Sequence, residues 1–162
     1  MYKKILPAII FTILLTSCGE EPRDQQRETE TRQLDYTAEV VFLDNSEEEI
    51  TTIRAAVADD DNSRSEGLMD VHDLPEDAGM IFIFDNESER SFWMANTPLS
   101  LDIIYVNSDF EIVRIHRNTP SYSHENIHSE APAMYVVEVN AGFTLEHDIT
   151  EGMSIQVVQE ES

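Results

Sequence analysis

The segment Met80-Ile81-Phe82-Ile83-Phe84 decides the fold prediction, because every one of its residues is large and apolar. A short apolar run with β-branched and aromatic side chains is typical of a strand that is covered on both faces. We therefore predict a buried central strand at these residues, with further strands of a sheet on either side of it.

Short segments rich in Val, Ile, Phe and Tyr follow in both directions, and turn signals such as Asn107-Ser108-Asp109 separate them. Only residues 62–70, capped by Asp61 or Asn62, and residues 143–148 are typical of helices. Many strands with one or two short helices predict a mainly β, compact sandwich, jelly-roll-like or barrel-like domain. The predicted strands are 37–43, 50–58, 79–84, 90–95, 101–106, 110–116, 133–139 and 153–158.

The composition excludes several classes of protein. The 162 residues include 33 acidic and 10 basic ones, for a net charge of −23, and a single cysteine. A nucleic-acid partner is not expected, because binding phosphates requires a basic surface, and a disulfide framework requires paired cysteines. Lys3 and Lys4 are the chain's lysines. Such an acidic surface repels itself at low salt, so we expect a halophilic adaptation.

The first residues carry an export signal. Met1-Tyr2-Lys3-Lys4 is a positive start, and residues 5–15 form an apolar run of signal-peptide length. Leu15-Thr16-Ser17-Cys18-Gly19 resembles a bacterial lipobox, so residues 1–17 are predicted as a signal peptide and Cys18 as the lipidated N-terminus. An ordinary cleaved signal or an uncleaved anchor are the alternatives. Because Gly19 follows the cysteine, the periplasmic face of the outer membrane is favoured over the inner membrane.

Two parts of the mature chain differ in composition. Residues 18–35 are polar and charged without periodicity, which predicts an acidic, disordered tether behind the lipid anchor. Residues 36–162 contain the predicted strands and form one β domain, long enough to bury a core. The membrane, contacted through the lipid on Cys18, is therefore the first expected partner.

Five segments of the domain follow one another in this order: Arg64-Ser65-Glu66-Gly67-Leu68-Met69, Gly79-Met80-Ile81-Phe82-Ile83-Phe84, Phe92-Trp93-Met94-Ala95-Asn96-Thr97, Leu99-Ser100-Leu101-Asp102-Ile103 and Val136-Val137-Glu138-Val139-Asn140-Ala141-Gly142. In order and spacing, over about residues 48–158, they resemble the DUF192 family, a domain of unknown function. Where this chain has Ala95, the family usually has Lys, and the basic residue that is usual in the family after the position of Met69 is absent here. The resemblance implies a compact, mainly β domain of sandwich or jelly-roll type and no established activity.

Five polar or aromatic residues in these segments form the tentative ligand-binding set: Arg64, Trp93, Asn96, Asp102 and Glu138. An aromatic wall with an amide suits a small ligand, and a buried acid needs a partner, which an Arg64–Asp102 contact would provide. The alternative is structural: a core Trp93, a turn at Asn96 and separate interactions for the charged residues.

His124-Glu125-Asn126-Ile127-His128 fits the H-E-x-x-H pattern of zinc proteases. That chemistry needs both histidines on one face of a helix, with the glutamate activating water. Pro120 and Pro132 bound the segment, which is rich in poor helix formers, so we predict an ordinary polar loop between strands. No catalytic residue, metal or cofactor is assigned, and His124 and His128 stay minor metal candidates.

These observations lead to three functional hypotheses. The first is a non-enzymatic envelope lipoprotein that binds an unknown small molecule or envelope protein. The second is a metal-dependent hydrolase that uses His124, Glu125 and His128. The third is a purely structural component of the envelope.

Overall fold

A computed structural model describes residues 31–159, which form one sheet and two short helices. The strands are β1 (Tyr36–Leu43), β2 (Glu49–Ala58), β3 (Ala78–Phe92), β4 (Leu101–Val106), β5 (Ile112–Thr119), β6 (Ile127–Asn140) and β7 (Ser154–Gln159), with helices α1 (Asp61–Glu66) and α2 (Phe143–Glu146). The prediction of a mainly β domain with short helices is confirmed.

The seven strands form a single mixed sheet in the order β5-β4-β6-β3-β2-β1-β7. Only β2 and β3 are parallel, and α1 lies in the connection between them. The segment that decided the fold prediction lies in β3, the central strand of this order, where Ile81 and Phe82 are fully buried.

The sheet curls into a half-barrel, and its two edges touch at the isolated bridge between Glu111 and Ser154. The Ile112 N–H donates to the Met153 carbonyl over 2.7 Å, and the Ile155 N–H donates to the Phe110 carbonyl over 2.9 Å. These bonds satisfy backbone groups that an open edge would expose. The barrel-like alternative therefore describes the domain, because one sheet curls on itself.

Each face of the sheet packs against its own apolar cluster. The interior cluster includes Phe42, Ile53, Ile104 and Val137, with Phe143 of α2 at one end. The outer cluster lies on the other face, where α1 and the chain after it cover the sheet; it includes Leu68, Met80, Phe82, Ile103 and Tyr105. Consequently β4 is buried along its whole length.

Several predicted boundaries need correction. The predicted strands 79–84 and 90–95 are the two ends of one strand, β3, whose polar middle is exposed. Helix α1 ends at Glu66, short of the predicted residue 70, because Gly67 adopts a positive φ of 49°. Its cap is Asp60, whose carboxyl accepts bonds from the N–H groups of Asn62 and Ser63. Helix α2 likewise stops at Glu146.

The signal peptide, Cys18 and most of the predicted tether lie outside the described residues. Residues 31–35, the end of that tether, are bonded to the domain: Arg32 N–H donates to the Asp70 carbonyl, and its guanidinium to Met69 and Gly67 carbonyls. No helix within residues 31–159 is long and apolar enough to cross a membrane.

Candidate functional site

A cavity of about 350 Å³ opens on the outer face of the sheet. Helix α1 and the chain just after it form one wall, β3 and the residue that follows it form another, and Glu138 of β6 contributes a carboxyl. The lining residues are Asp61, Arg64, Ser65, Glu66, Gly67, Leu68, Met69, Phe82, Phe84, Ser91, Phe92, Trp93, Thr97 and Glu138.

Arg64 fixes the helical wall to the sheet. One guanidinium nitrogen donates to the carbonyls of Asp59 and Ile83 over 2.6 and 2.8 Å, and the other donates to Asp61 over 2.9 Å. The guanidinium also lies 5.4 Å from the centre of the Phe84 ring. Arg64 is thus largely committed to holding α1 against β3, and this positions the cavity wall.

Aromatic rings form the apolar wall. Phe92 meets Phe82 edge to face, with ring centres 4.9 Å apart, and meets Phe84 in the same way at 6.4 Å. Trp93 continues the wall to the rim, where 55% of its surface is exposed. An exposed tryptophan beside one buried and two half-buried aromatic rings provides an apolar surface for a ligand.

Glu138 is the buried acid of this site. It is 4% exposed and is paired with Met80 on β3 and Ile103 on β4, so its side chain shares their face of the sheet. No hydrogen bond from residues 31–159 reaches its carboxyl, and the nearby Tyr105 hydroxyl donates to the Ile127 carbonyl over 2.7 Å. Burial without a partner raises the pKa of Glu138 to about 8.

The other charged residues of the lining are paired. Asp61 accepts from Arg64, and Glu66 lies 3.4 Å from the guanidinium of Arg32. Within the described part of the chain, Glu138 is therefore the one ionisable group of the cavity that has no partner. A carboxyl that is buried without a partner is costly to ionise. A ligand can provide the hydrogen-bond donor or positive charge that the protein does not provide.

Asp102 lies elsewhere, although it is fully buried. Its carboxyl accepts bonds from the N–H groups of Asn118, Gly142 and Thr144, and from the Thr144 hydroxyl over 2.6 Å. The register pairs it with Val139, whose side chain belongs to the interior cluster. The predicted Arg64–Asp102 contact does not form, because the two side chains belong to opposite faces.

Asn96, like Asp102, lies away from the cavity, whereas the other residues of the predicted ligand-binding set line it. Asn96 is exposed in a turn with a φ of 61°, and its carbonyl accepts from the Asp70 N–H. It is absent from the cavity lining, whereas Arg64, Trp93 and Glu138 are present in it. Trp93 is not the core residue that the structural alternative required.

The H-E-x-x-H segment does not form a helix. His124 and Glu125 lie in an exposed connection, while His128 lies on β6, where its carbonyl is 2.8 Å from the His116 ring nitrogen Nε2. The prediction of a loop holds as far as residue 126 and is wrong from Ile127 onward. Among residues 31–159, no three His, Cys, Asp or Glu side chains cluster as metal ligands would.

Sequence reasoning missed the apolar part of the lining, namely Leu68, Met69, Phe82, Phe84 and Phe92. Their residue types predict core positions, and composition gives no reason to place them around a cavity. The usable signal was the set of motifs: every lining residue except Asp61 and Ser91 lies in a segment that carries the DUF192 resemblance.

A family model confirms that resemblance. The DUF192 model, described as an uncharacterized ACR, matches residues 24–157, which begins earlier than the resemblance had predicted. The chain belongs to the DUF192 family. No curated protein matches it significantly.

Two crystal structures are similar to the DUF192 domain described here. One is a candidate transcription regulator from Sinorhizobium meliloti 1021, with a TM-score of 0.72 and 30% identity over 78% of this chain and 98% of that one. The other is a protein of unknown function from Novosphingobium aromaticivorans DSM 12444, with a TM-score of 0.69 and 28% identity over 73% and 83% of the two chains. Both share the fold of this member of the family.

Proposed function

We propose that this DUF192 protein is a non-enzymatic envelope lipoprotein whose domain binds a small organic molecule in the cavity between α1 and β3. The lipid on Cys18 anchors it, on the periplasmic face of the outer membrane. One observation supports this proposal most strongly. The buried Glu138, whose carboxyl has no hydrogen-bond partner among residues 31–159, faces a cavity of about 350 Å³ with an aromatic wall. That volume lies within the usual range for sites that enclose small ligands.

The location of the family segments supports this proposal. Segments far apart in sequence, around Arg64, Phe82, Trp93 and Glu138, converge on this one cavity. A purely structural role would need these residues only as packing, and polar side chains in a packed core are as a rule hydrogen-bonded. The purely structural alternative therefore explains less of the site.

The other hypotheses have weaker support. The hydrolase hypothesis requires His124 and His128 on one helical face, and His128 lies on a strand. The description of the Sinorhizobium protein as a transcription regulator does not carry over to nucleic-acid binding here. A net charge of −23 opposes contact with phosphates.

Native mass spectrometry of the full chain, produced in a bacterial envelope with its own leader, tests the binding site. We expect an organic adduct in the wild type. Ser91→Phe fills the cavity from an exposed lining position and should abolish the adduct. Ser46→Phe, at an exposed turn outside the cavity, is the matched control and should retain it. A bare protein mass, together with no melting shift from a library of small molecules, would favour the structural hypothesis.

The anchor has a separate test, because it depends on the leader alone. Mass spectrometry of the N-terminal peptide should find a mature chain that begins at an acylated Cys18. Cys18→Ser should keep the leader and lose the acyl mass. A wild-type chain cleaved elsewhere, without lipid, would refute the anchor and leave the cavity proposal intact.

A further inference from the structure

The charges around the cavity indicate which class of molecule it binds. Asp61 and Glu66 are both paired with arginines, and Arg64 is bonded to two carbonyls as well as to Asp61. An anionic ligand would therefore have to take Arg64 away from the contacts that hold the helical wall. The group that gains most from a ligand is Glu138, because its carboxyl has no partner within residues 31–159.

The aromatic wall favours the same class. Phe82, Phe92 and Trp93 present rings to the cavity, and the face of an aromatic ring attracts a cation. Two arginines of the protein already make such cation–π contacts. The guanidinium groups of Arg64 and Arg90 lie 5.4 and 3.8 Å from the centre of the Phe84 ring. A carboxylate at the inner end and rings around it suit a cation on an apolar body.

We propose that the cavity binds a small organic cation, a primary ammonium on an aromatic or alkyl body, whose charge pairs with the Glu138 carboxylate. This inference rests on the proposed small-molecule site and names its ligand class. The ammonium N–H groups donate to a carboxyl that otherwise has no donor, and the apolar body packs against the wall that ends at Trp93. Above the pKa of Glu138, where the group is a carboxylate, a neutral or anionic ligand would leave it unpaired.

Binding of such a cation should be coupled to proton release. In the empty site the raised pKa of Glu138, about 8, keeps the carboxyl protonated at neutral pH. The ionisable groups near it are Tyr105 on β4 and the paired Asp61, Arg64 and Glu66 on the helical side. An alkylammonium stays protonated in this range, as lysine does. Affinity should therefore rise by about tenfold per pH unit up to the pKa of Glu138 and level off above it.

Trp93 provides the measurement, because it is the chain's one tryptophan and it lines the cavity. The full chain, extracted in an uncharged detergent, is titrated with phenethylammonium, 2-phenylethanol and phenylacetate, which share a body and differ in the charged group. Trp93 fluorescence is followed at about pH 6 and about pH 9, on either side of the pKa. We expect phenethylammonium to bind at least about tenfold more tightly than the other two at the higher pH.

Two variants separate the ligand class from the site itself. Glu138→Gln should remove the preference for phenethylammonium and its pH dependence, whereas Glu39→Gln, an exposed acid on β1, should leave both unchanged. Equal or tighter binding of the alcohol or of phenylacetate, or an unchanged preference in Glu138→Gln, would overturn the cation inference while leaving a small-molecule site in place. No response to any of the three probes would also overturn it. The mass spectrometry of Ser91→Phe then decides separately whether the proposed site exists.

Discussion

Two buried acids on neighbouring strands differ completely in their surroundings. Asp102 on β4 points toward the interior cluster and accepts four hydrogen bonds, three from backbone N–H groups and one from Thr144. Glu138 on β6 points to the outer face, lines a cavity and accepts none from residues 31–159. Both are almost inaccessible to solvent, at 0% and 4% exposure.

This difference shows how the surroundings of a buried acid distinguish a structural role from a binding role. A carboxyl that satisfies several donors connects parts of the chain, as Asp102 connects β5 with the start of α2. A carboxyl without donors from the chain contributes a cost to folding that a bound ligand can reduce. Substitutions can test each half of this contrast, and the acid with four hydrogen bonds should show the largest effect.

Asp102→Ala should have the largest effect. It removes the acceptor from the N–H groups of Asn118, Gly142 and Thr144, and the N–H of Thr144 is buried. We expect the free energy of unfolding to fall by about 3–5 kcal/mol, as measured by urea denaturation. The control is Asp109→Ala, at an exposed turn between β4, which carries Asp102, and β5, which carries Asn118. It should change the free energy of unfolding by less than about 0.5 kcal/mol. Similar losses in both variants would show that Asp102 does not connect these elements.

Glu138→Gln should have the opposite effect. Relative to the wild type, the variant should become more stable as pH rises. The folded-state pKa of Glu138 is raised to about 8 from 4.5, so the unfolded chain loses this proton first. Stability from this group is therefore fully present below pH 4.5, falls as pH rises and is lost by pH 8.

The measurement is the difference in unfolding free energy between Glu138→Gln and the wild type. Between about pH 5 and pH 7 this difference should grow by about 2–3 kcal/mol in favour of the variant. Other titrating groups are common to both proteins and cancel in the comparison. A difference that is constant with pH would mean that the folded-state pKa of Glu138 is close to its unfolded value and that the carboxyl is ionised in the folded protein.

Gly79→Ala tests the close contact between β3 and β6, the strand that carries Glu138. Gly79, Val139 and Asp102 form one row across β3, β6 and β4. A Cβ at Gly79 would lie 2.5 Å from the Glu138 carbonyl oxygen and 2.8 Å from Ile53 Cδ1. We expect a loss of about 1–3 kcal/mol in unfolding free energy.

The control for that variant is another added methyl group. Gly152→Ala meets no atom within 4 Å, although its φ of 89° makes the backbone strained. Its cost should therefore be about 1 kcal/mol, from strain alone. If Gly79→Ala costs no more than Gly152→Ala, then β3 and β6 separate easily and the position of Glu138 is not fixed by this contact.

The contrast between the two acids could be only half predicted from sequence. Val137 and Val139 on either side of Glu138 indicate a strand in which the acid faces away from them, and this alternation is what the structure has. Residues 101–106 offer no such alternation, because both faces of β4 are buried. The sequence therefore could not show which side of the sheet Asp102 faces, and the prediction grouped Asp102 with Arg64.

The sequence did not predict that β3 is one continuous strand, for a related reason. Residues 85–89 are polar, which predicts a loop, but they extend the strand beyond the covered part of the sheet, where polar side chains are exposed. The strongest predictions were those that depended on local patterns, such as the central strand at residues 80–84 and the turn at Asn107. Sites that depend on which strands become neighbours needed the topology.

Salt concentration tests the exposed acids as a group, in contrast with the two buried ones. The net charge of −23 destabilises the compact state by repulsion between surface groups, and molar salt shortens the Debye length to about 3 Å. The melting temperature should therefore rise with salt in the wild type. It should rise by a similar amount in Glu138→Gln, because a buried group is screened little. A flat or falling dependence up to molar salt would contradict a halophilic adaptation, and a smaller rise in Glu138→Gln would mean that solvent ions reach the cavity carboxyl.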